Sequence, residues 1–160
     1  MVDELTPPWQ ACLEEAWSAY CAGCVPVGAV EADDAGLVIS RGRNRIWEHQ
    51  GEANTLYGYA LAHAEINALA CLPADGKDRH SLSLYTTLEP CPLCMGALYM
   101  SGLRQLHFAA RDAYAGSADM LGATPYLSRK PIRVFSPHIR SWRSCSSPCI
   151  PSSNSSAAPP

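Results

Sequence analysis

His63-Ala64-Glu65 and Pro90-Cys91-Pro92-Leu93-Cys94 are the pair of segments that most restricts how this chain can fold. One imidazole and two thiols are the ligand types of a zinc site, so a fold that uses them must bring both segments to one point. Three protein ligands leave a tetrahedral ion with one open position, the arrangement of a catalytic rather than a structural site. A structural site would call for a fourth ligand. Cys24, Cys71 and His107 are candidates by residue type, and no spacing singles one out.

The two segments suit that convergence. Cys91 and Cys94 are three apart at a predicted helix start, so they share a face. The amides and the positive dipole end of that start favour thiolate over thiol. Pro90 and Pro92 fit a first turn. His63 and Glu65 are two apart and would diverge in mid-helix, but at a helix start both reach a point off its end. Glu65 is not needed as a ligand, and its chemistry fits general acid/base work. Zinc brings the pKa of a bound water from about 15.7 to about 7, which makes the combination hydrolytic.

Along the chain, Thr6-Pro7-Pro8 opens a helix that Gly23 closes. Trp9, Leu13, Ala16, Trp17 and Tyr20 recur at helical spacing and predict its core-facing stripe. Val25 to Glu31 and Leu37 to Arg41, joined by Asp33-Asp34-Ala35-Gly36, read as a hairpin. Residues 47 to 60 are irregular. A helix is predicted from Ala62 to Leu72, a strand from Ser83 to Thr87, a helix from Pro90 to Ser101, a strand from Gln105 to Ala109, a short helix over 117–122 and a strand from Ile132 to Phe135. The order α-β-β-α-β-α-β-(α)-β implies a mixed sheet covered on both faces.

The length of 160 residues fits one domain, expected over 1–139. Residues 140–160 are rich in Ser, Pro and Ala and are expected to form a disordered tail, with no scaffold to make Cys145 and Cys149 a metal pair. The net charge is -3, and no Lys/Arg run occurs, which ranks a large nucleic-acid substrate below a small one. No apolar stretch approaches the ~20 residues of a membrane span, and the acidic start lacks a signal pattern, so a cytoplasmic protein is expected. Among the eight cysteines, Cys12, Cys21, Cys24 and Cys71 are expected to be small buried hydrophobes. Cys21-Ala22-Gly23-Cys24 has the spacing of a metal or redox pair but no partner motif nearby.

The H-x-E and P-C-x-x-C pair is the signature of zinc-dependent base deaminases. From about Val25 to Ala110 the chain resembles the cytidine deaminase superfamily. The likeness is nearest to the branch of tRNA adenosine deaminases, guanine deaminases and related nucleoside deaminases. It is carried by Val25-Pro26-Val27-Gly28-Ala29-Val30, Gly42-Arg43-Asn44-Arg45, His63-Ala64-Glu65-Ile66, Thr87 through Ala97, and Ala110-Arg111-Asp112. The resemblance implies an α/β fold: a three-layer α/β/α sandwich with a five-stranded mixed sheet, usually in a homodimer. It implies zinc on His63, Cys91 and Cys94, proton transfer by Glu65, and substrate contacts from Asn44, the backbone of Ala64, and Asp112. Trp47, Tyr57 and Tyr59 are further candidates for the pocket wall, with His49 behind them.

The chain departs from the tRNA-editing pattern after Asp112, where Ala113-Tyr114-Ala115 carries no Lys, and before His63, where Gly58 to Ala62 replaces Asp-Pro-Thr. The expected reaction is therefore hydrolytic removal of the exocyclic amino group of a free nucleobase or nucleoside, purine type preferred. Adenosine in tRNA is the alternative substrate. A catalytically silent zinc-binding module of a hetero-oligomer is the alternative of another class, which the intact Glu65 opposes.

Overall fold

The computed structural model describes residues 5–74 and 78–136. Strand β1 (Gly28–Ala32) is buried along its whole length and organises the rest. Such a strand needs cover on both faces. Helix α1 (Pro7–Cys21) supplies one cover, and helices α2 (Ala64–Ala70) and α3 (Pro92–Ser101) the other. Strands β2 (Val38–Arg43), β3 (Ser83–Leu88), β4 (Gln105–Ala110) and β5 (Arg133–Phe135) complete a five-stranded sheet of order β2-β1-β3-β4-β5. The pairs β1/β2 and β1/β3 are antiparallel, and β3/β4 and β4/β5 are parallel. This is the expected three-layer α/β/α sandwich around a mixed sheet. The short helix expected over 117–122 narrows to a 3-10 turn at Ala118–Met120.

The main core lies between the sheet and α2/α3. Ala29, Leu84, Leu106 and Phe108 meet Ala64, Ala68, Met95 and Leu98 there. The second core joins Cys12 of α1 to Val30, with Trp9 and Tyr85 at its edge. Helices α1 and α2 sit close to the strands because glycines face them. A Cβ on Gly28 would stand 2.2 Å from the Cys12 carbonyl, and one on Gly42 would stand 2.2 Å from the Ala68 nitrogen.

That close approach corrects the expected face of α1. Its buried residues are Pro8, Ala11, Cys12, Ala16 and Ala19. Leu13, Trp17 and Tyr20 face outward, with Trp17 66% exposed. Only small side chains fit where the helix backbone rides on Gly28, so the aromatic stripe turns to solvent. Of the expected stripe Ala16 is buried and Trp9 is partly buried, edge-on to Tyr85 at 5.3 Å between centroids. Cover on both faces is likewise partial among the described residues. The row Tyr85, His107 and Phe135, stacked at 4.3 and 4.5 Å, continues across β3, β4 and β5 beyond α1.

The cysteines divide. Cys12 and Cys24 are buried, Cys71 is half-buried and Cys21 is exposed, against the expectation of burial for the last two. Cys21 sits on the last turn of α1, whose outer face it shares with Trp17 and Tyr20. Cys145, Cys149 and the tail expected over 140–160 lie outside the described residues. No helix among the described residues is long and apolar enough to cross a membrane.

Candidate metal centre

Helices α2 and α3 each begin one residue after a metal-ligand type. His63 is the N-cap of α2 (φ -76, ψ 155) and Cys91 that of α3 (φ -72, ψ 173). Cys91 is extended because Pro92 follows it, and a residue before proline is pushed out of the helical region. The expected helix starts at Ala62 and Pro90 therefore shift two residues on. That shift aims both ligand side chains off the helix ends instead of along their flanks. Cys94 follows in the first turn of α3 and is fully buried.

The three side chains meet. His63 Nδ1 lies 3.5 Å from Cys91 Sγ and 3.5 Å from Cys94 Sγ, and the two sulfurs are 3.7 Å apart. A tetrahedral zinc, with Zn–S of about 2.3 Å and Zn–N of about 2.05 Å, sets its sulfurs about 3.8 Å apart and each nitrogen–sulfur pair about 3.6 Å apart. The triangle has those dimensions. Among the described residues it is the one group of three or more His, Cys, Asp or Glu able to share an ion. Cys24, Cys71 and His107 take no part, and His107 is sandwiched between Tyr85 and Phe135.

Glu65 stands beside the triangle. It is buried, its Oε2 lies 3.3 Å from Cys94 Sγ, and its Oε1 accepts from Thr86 Oγ1 at 3.0 Å. Burial raises its pKa above the ordinary carboxylate value. Cys91 is lowered to about 4, first by its hydrogen bond with Cys94; burial pulls the other way and His63 adds to the lowering. Cys94 is raised, first by that same bond, then by burial and by Glu65. His63 is raised, first by its bond to Cys91 and against burial. Two thiolates and a carboxylate this close cannot all stay charged unaided. A divalent cation relieves that conflict, so the donor set fits zinc chemically as well as by size.

The remaining candidates are held in different ways. Asn44 is buried at the end of β2; its amide N–H donates to the Val27 carbonyl, and its Oδ1 accepts from Ile46 N at 3.3 Å. Ala64 is buried as the first residue of α2 after His63. Asp112 Oδ1 accepts from the amides of Tyr114 and Ala115 at 2.8 and 3.1 Å, so this oxygen caps the turn after β4. Trp47, Tyr57 and Tyr59 lie on the segment between Asn44 and His63 and are 61%, 39% and 48% exposed. That segment is braced by ion pairs of Arg43 and Arg45 with Glu48, and of Arg45 with Glu52.

Two further residues shape this region, and their spacing in the sequence does not single them out. Glu89, buried just before Pro90, accepts from the amides of Asp112 and Ala118 at 3.3 and 3.2 Å and pairs with Arg111 at 3.5 Å. With the Ser117 amide bonded to the Pro90 carbonyl, it ties the loop after β4 to the cysteine-bearing turn. Asn67, buried on α2, donates to the carbonyls of Arg43 and Leu56 and accepts from the Leu56 amide. The available signals were a carboxylate abutting Pro-Cys, and an amide in the alanine-rich face Ala64, Ala68.

The comparisons with known proteins bear on this geometry. The cytidine and deoxycytidylate deaminase zinc-binding region matches residues 7–110. A tRNA-specific adenosine deaminase of Agrobacterium fabrum is 37% identical over 119 residues, covering 72% of this chain and 72% of that protein. A probable cytosine deaminase of Schizosaccharomyces pombe is 29% identical over 129 residues, covering 71% and 72%. Among solved structures, guanine deaminase from Nitrosomonas europaea superposes with a TM-score of 0.62 at 26% identity, covering 85% of this chain and 78% of that one.

Proposed function

This chain belongs to the cytidine and deoxycytidylate deaminase zinc-binding family, and we propose from that premise that it hydrolyses the exocyclic C–N bond of a free nucleobase or nucleoside, purine type preferred. It is a deaminase, a hydrolase acting on C–N bonds, and zinc is its cofactor. The observation that carries the reading is the triangle of His63, Cys91 and Cys94 with Glu65 Oε2 3.3 Å from Cys94 Sγ.

In this reading His63, Cys91 and Cys94 hold the zinc. When bound, zinc lowers the pKa of a coordinated water toward about 7. Glu65 takes a proton from the attacking water and delivers it to the amino nitrogen as the C–N bond breaks. Water and the aminated ring become ammonia and the oxo ring. A carboxylate raised by burial suits a group that must both accept and return a proton near neutral pH. The Thr86 hydroxyl orients it. Asn44, the backbone of Ala64, and Asp112 meet the base, and Trp47, Tyr57 and Tyr59 wall the pocket.

Charge supports a small substrate. Arg43 and Arg45, which flank Asn44, are largely buried and paired with Glu48, and so are poorly placed to grip phosphates. Similarity to tRNA-specific adenosine deaminases supports the second reading, adenosine in tRNA. The proposal extends to a homodimer, because α3 has no charged residue and presents Leu93 and Met100 to solvent. It extends also to the cytoplasm, where the described cysteines, all free, stay reduced.

The test is ammonia release from adenine, guanine, cytosine, their nucleosides and a tRNA anticodon stem. A free purine or its nucleoside is expected to give the highest kcat/KM. Activity confined to the tRNA stem, falling steeply with salt, would establish the second reading. No ammonia from any of them would leave the silent module.

A further inference from the structure

The segment 44–62 leaves β2 at Asn44 and returns to α2 at His63, so it carries Asn44, Trp47, Tyr57 and Tyr59 on a single excursion. Several bonds hold it to itself. The Gly58 and Glu48 amides both donate to the Arg45 carbonyl, and the Arg45 amide donates to the Ala62 carbonyl. Arg43 and Arg45 brace it through Glu48 and Glu52. These contacts fix the shape of the segment. They do not set its position against the helix that bears His63 and Glu65.

Asn67 does so. It lies one helical turn after His63, with its amide N–H on the His63 carbonyl at 3.0 Å. Its side chain is fully buried and spends every polar function on the last residue of β2 and on Leu56 of the excursion. Nδ2 donates to the Arg43 carbonyl at 3.0 Å and to the Leu56 carbonyl at 3.1 Å, and Oδ1 accepts from the Leu56 amide at 2.6 Å. Arg43 immediately precedes Asn44, and Leu56 immediately precedes Tyr57. A single buried amide therefore registers the end of β2, from which the segment departs, and Leu56 within the segment against the first turn of α2.

We infer that Asn67 is a positioning residue that sets the substrate-facing segment, Asn44 and Tyr57 above all, at a fixed distance from the His63/Glu65 end of α2. It touches neither metal nor substrate. Its effect is on how well a base is held, so it belongs to KM and substrate choice rather than to proton transfer. The kinetic consequence rests on the deaminase reading above, whereas the structural consequence does not.

Two variants test this. Asn67→Leu removes all three bonds at similar volume. Asn67→Asp keeps the acceptor for the Leu56 amide but replaces the one NH2 group that makes both donations with a single oxygen facing two carbonyls, and it decides the matter if the leucine variant does not fold. Hydrogen exchange of residues 45–58, zinc content and steady-state kinetics are measured on each full-length variant. The expected result is at least ~10-fold faster exchange confined to 45–58, one zinc per chain, and KM for the preferred base raised ~10-fold with kcat within ~3-fold. Unchanged exchange in a folded variant overturns the inference. So does lost zinc or a fall in kcat at constant KM, which would place Asn67's effect on His63 through α2. If the parent releases no ammonia from any substrate, the deaminase reading fails, and the exchange result alone decides the role of Asn67.

Discussion

Thr86 Oγ1 donates to Glu65 Oε1 at 3.0 Å, and both side chains are buried. Thr86 sits on β3 between Ala29 of β1 and Phe108 of β4, so its hydroxyl is held by the middle of the sheet. The bond occupies one carboxylate oxygen and leaves Oε2 on the side of the cysteines. Thr86→Val keeps the shape and removes the bond. We predict a ~10-fold fall in kcat, equivalent to about 1.4 kcal/mol, with zinc content unchanged. Metal analysis beside steady-state kinetics checks it.

Gly42 and Ser40 share a face of β2 but should respond oppositely to alanine. A Cβ on Gly42 meets the Ala68 nitrogen at 2.2 Å and the Ala64 carbonyl at 2.4 Å, backbone atoms that cannot step aside. Gly42→Ala is expected to cost about 3 kcal/mol or more by forcing α2 off the sheet. Ser40 Oγ is buried without a hydrogen-bond partner. Ser40→Ala is expected to be neutral or to stabilise by about 1 kcal/mol. Denaturant midpoints of the two variants measure both.

Glu31 should make stability fall with pH. It pairs with Ser40 across β1/β2, is buried, and neither of its oxygens has a hydrogen-bond partner. Burial pushes its carboxyl from the ordinary 4.5 up to about 8, with its own backbone amide and then Arg79 opposing and Glu65 reinforcing the rise. Between those values the folded chain keeps a proton that the unfolded chain has released. Stability tied to this group is therefore full below about pH 4.5, declines as pH rises, and levels off above about pH 8. Glu31→Leu should remove that decline, so its gain over the parent grows by roughly 1 kcal/mol per pH unit across the window. Urea melts of both proteins at pH 5, 6.5 and 8 provide the comparison.

Removing zinc should cost stability as well as activity. In the proposed site the ion would be held by His63, Cys91 and Cys94, which come together in the folded chain. Free zinc at 100 times its dissociation constant is worth about 3 kcal/mol of folding free energy. A chelator is expected to abolish ammonia release and lower the thermal midpoint, and zinc addition to restore both. Cys94→Ser should reproduce the chelated state without a chelator.

The sequence and the structure part company where backbone distance decides the outcome. The meeting of His63, Cys91 and Cys94 was legible because two thiols and an imidazole at helix starts have few other uses, and the strands because apolar runs between turn residues have few other forms. The face of α1 was not, since Trp9, Leu13, Trp17 and Tyr20 show a clean helical period. What turns most of them outward is the missing Cβ of Gly28, a tertiary fact with no local signature. Asn67 and Glu89 were hidden for a related reason. Each acts on backbone amides and carbonyls distant in the chain, and these carry no residue identity to read.

Glu65→Ala tests the central claim most directly. If Glu65 moves the proton while His63, Cys91 and Cys94 hold the metal, the variant will bind one zinc per chain and unfold near the parent. Its kcat for ammonia release will be lower by at least ~10²-fold. A variant that keeps its zinc and deaminates the preferred substrate at the parental rate would contradict the account.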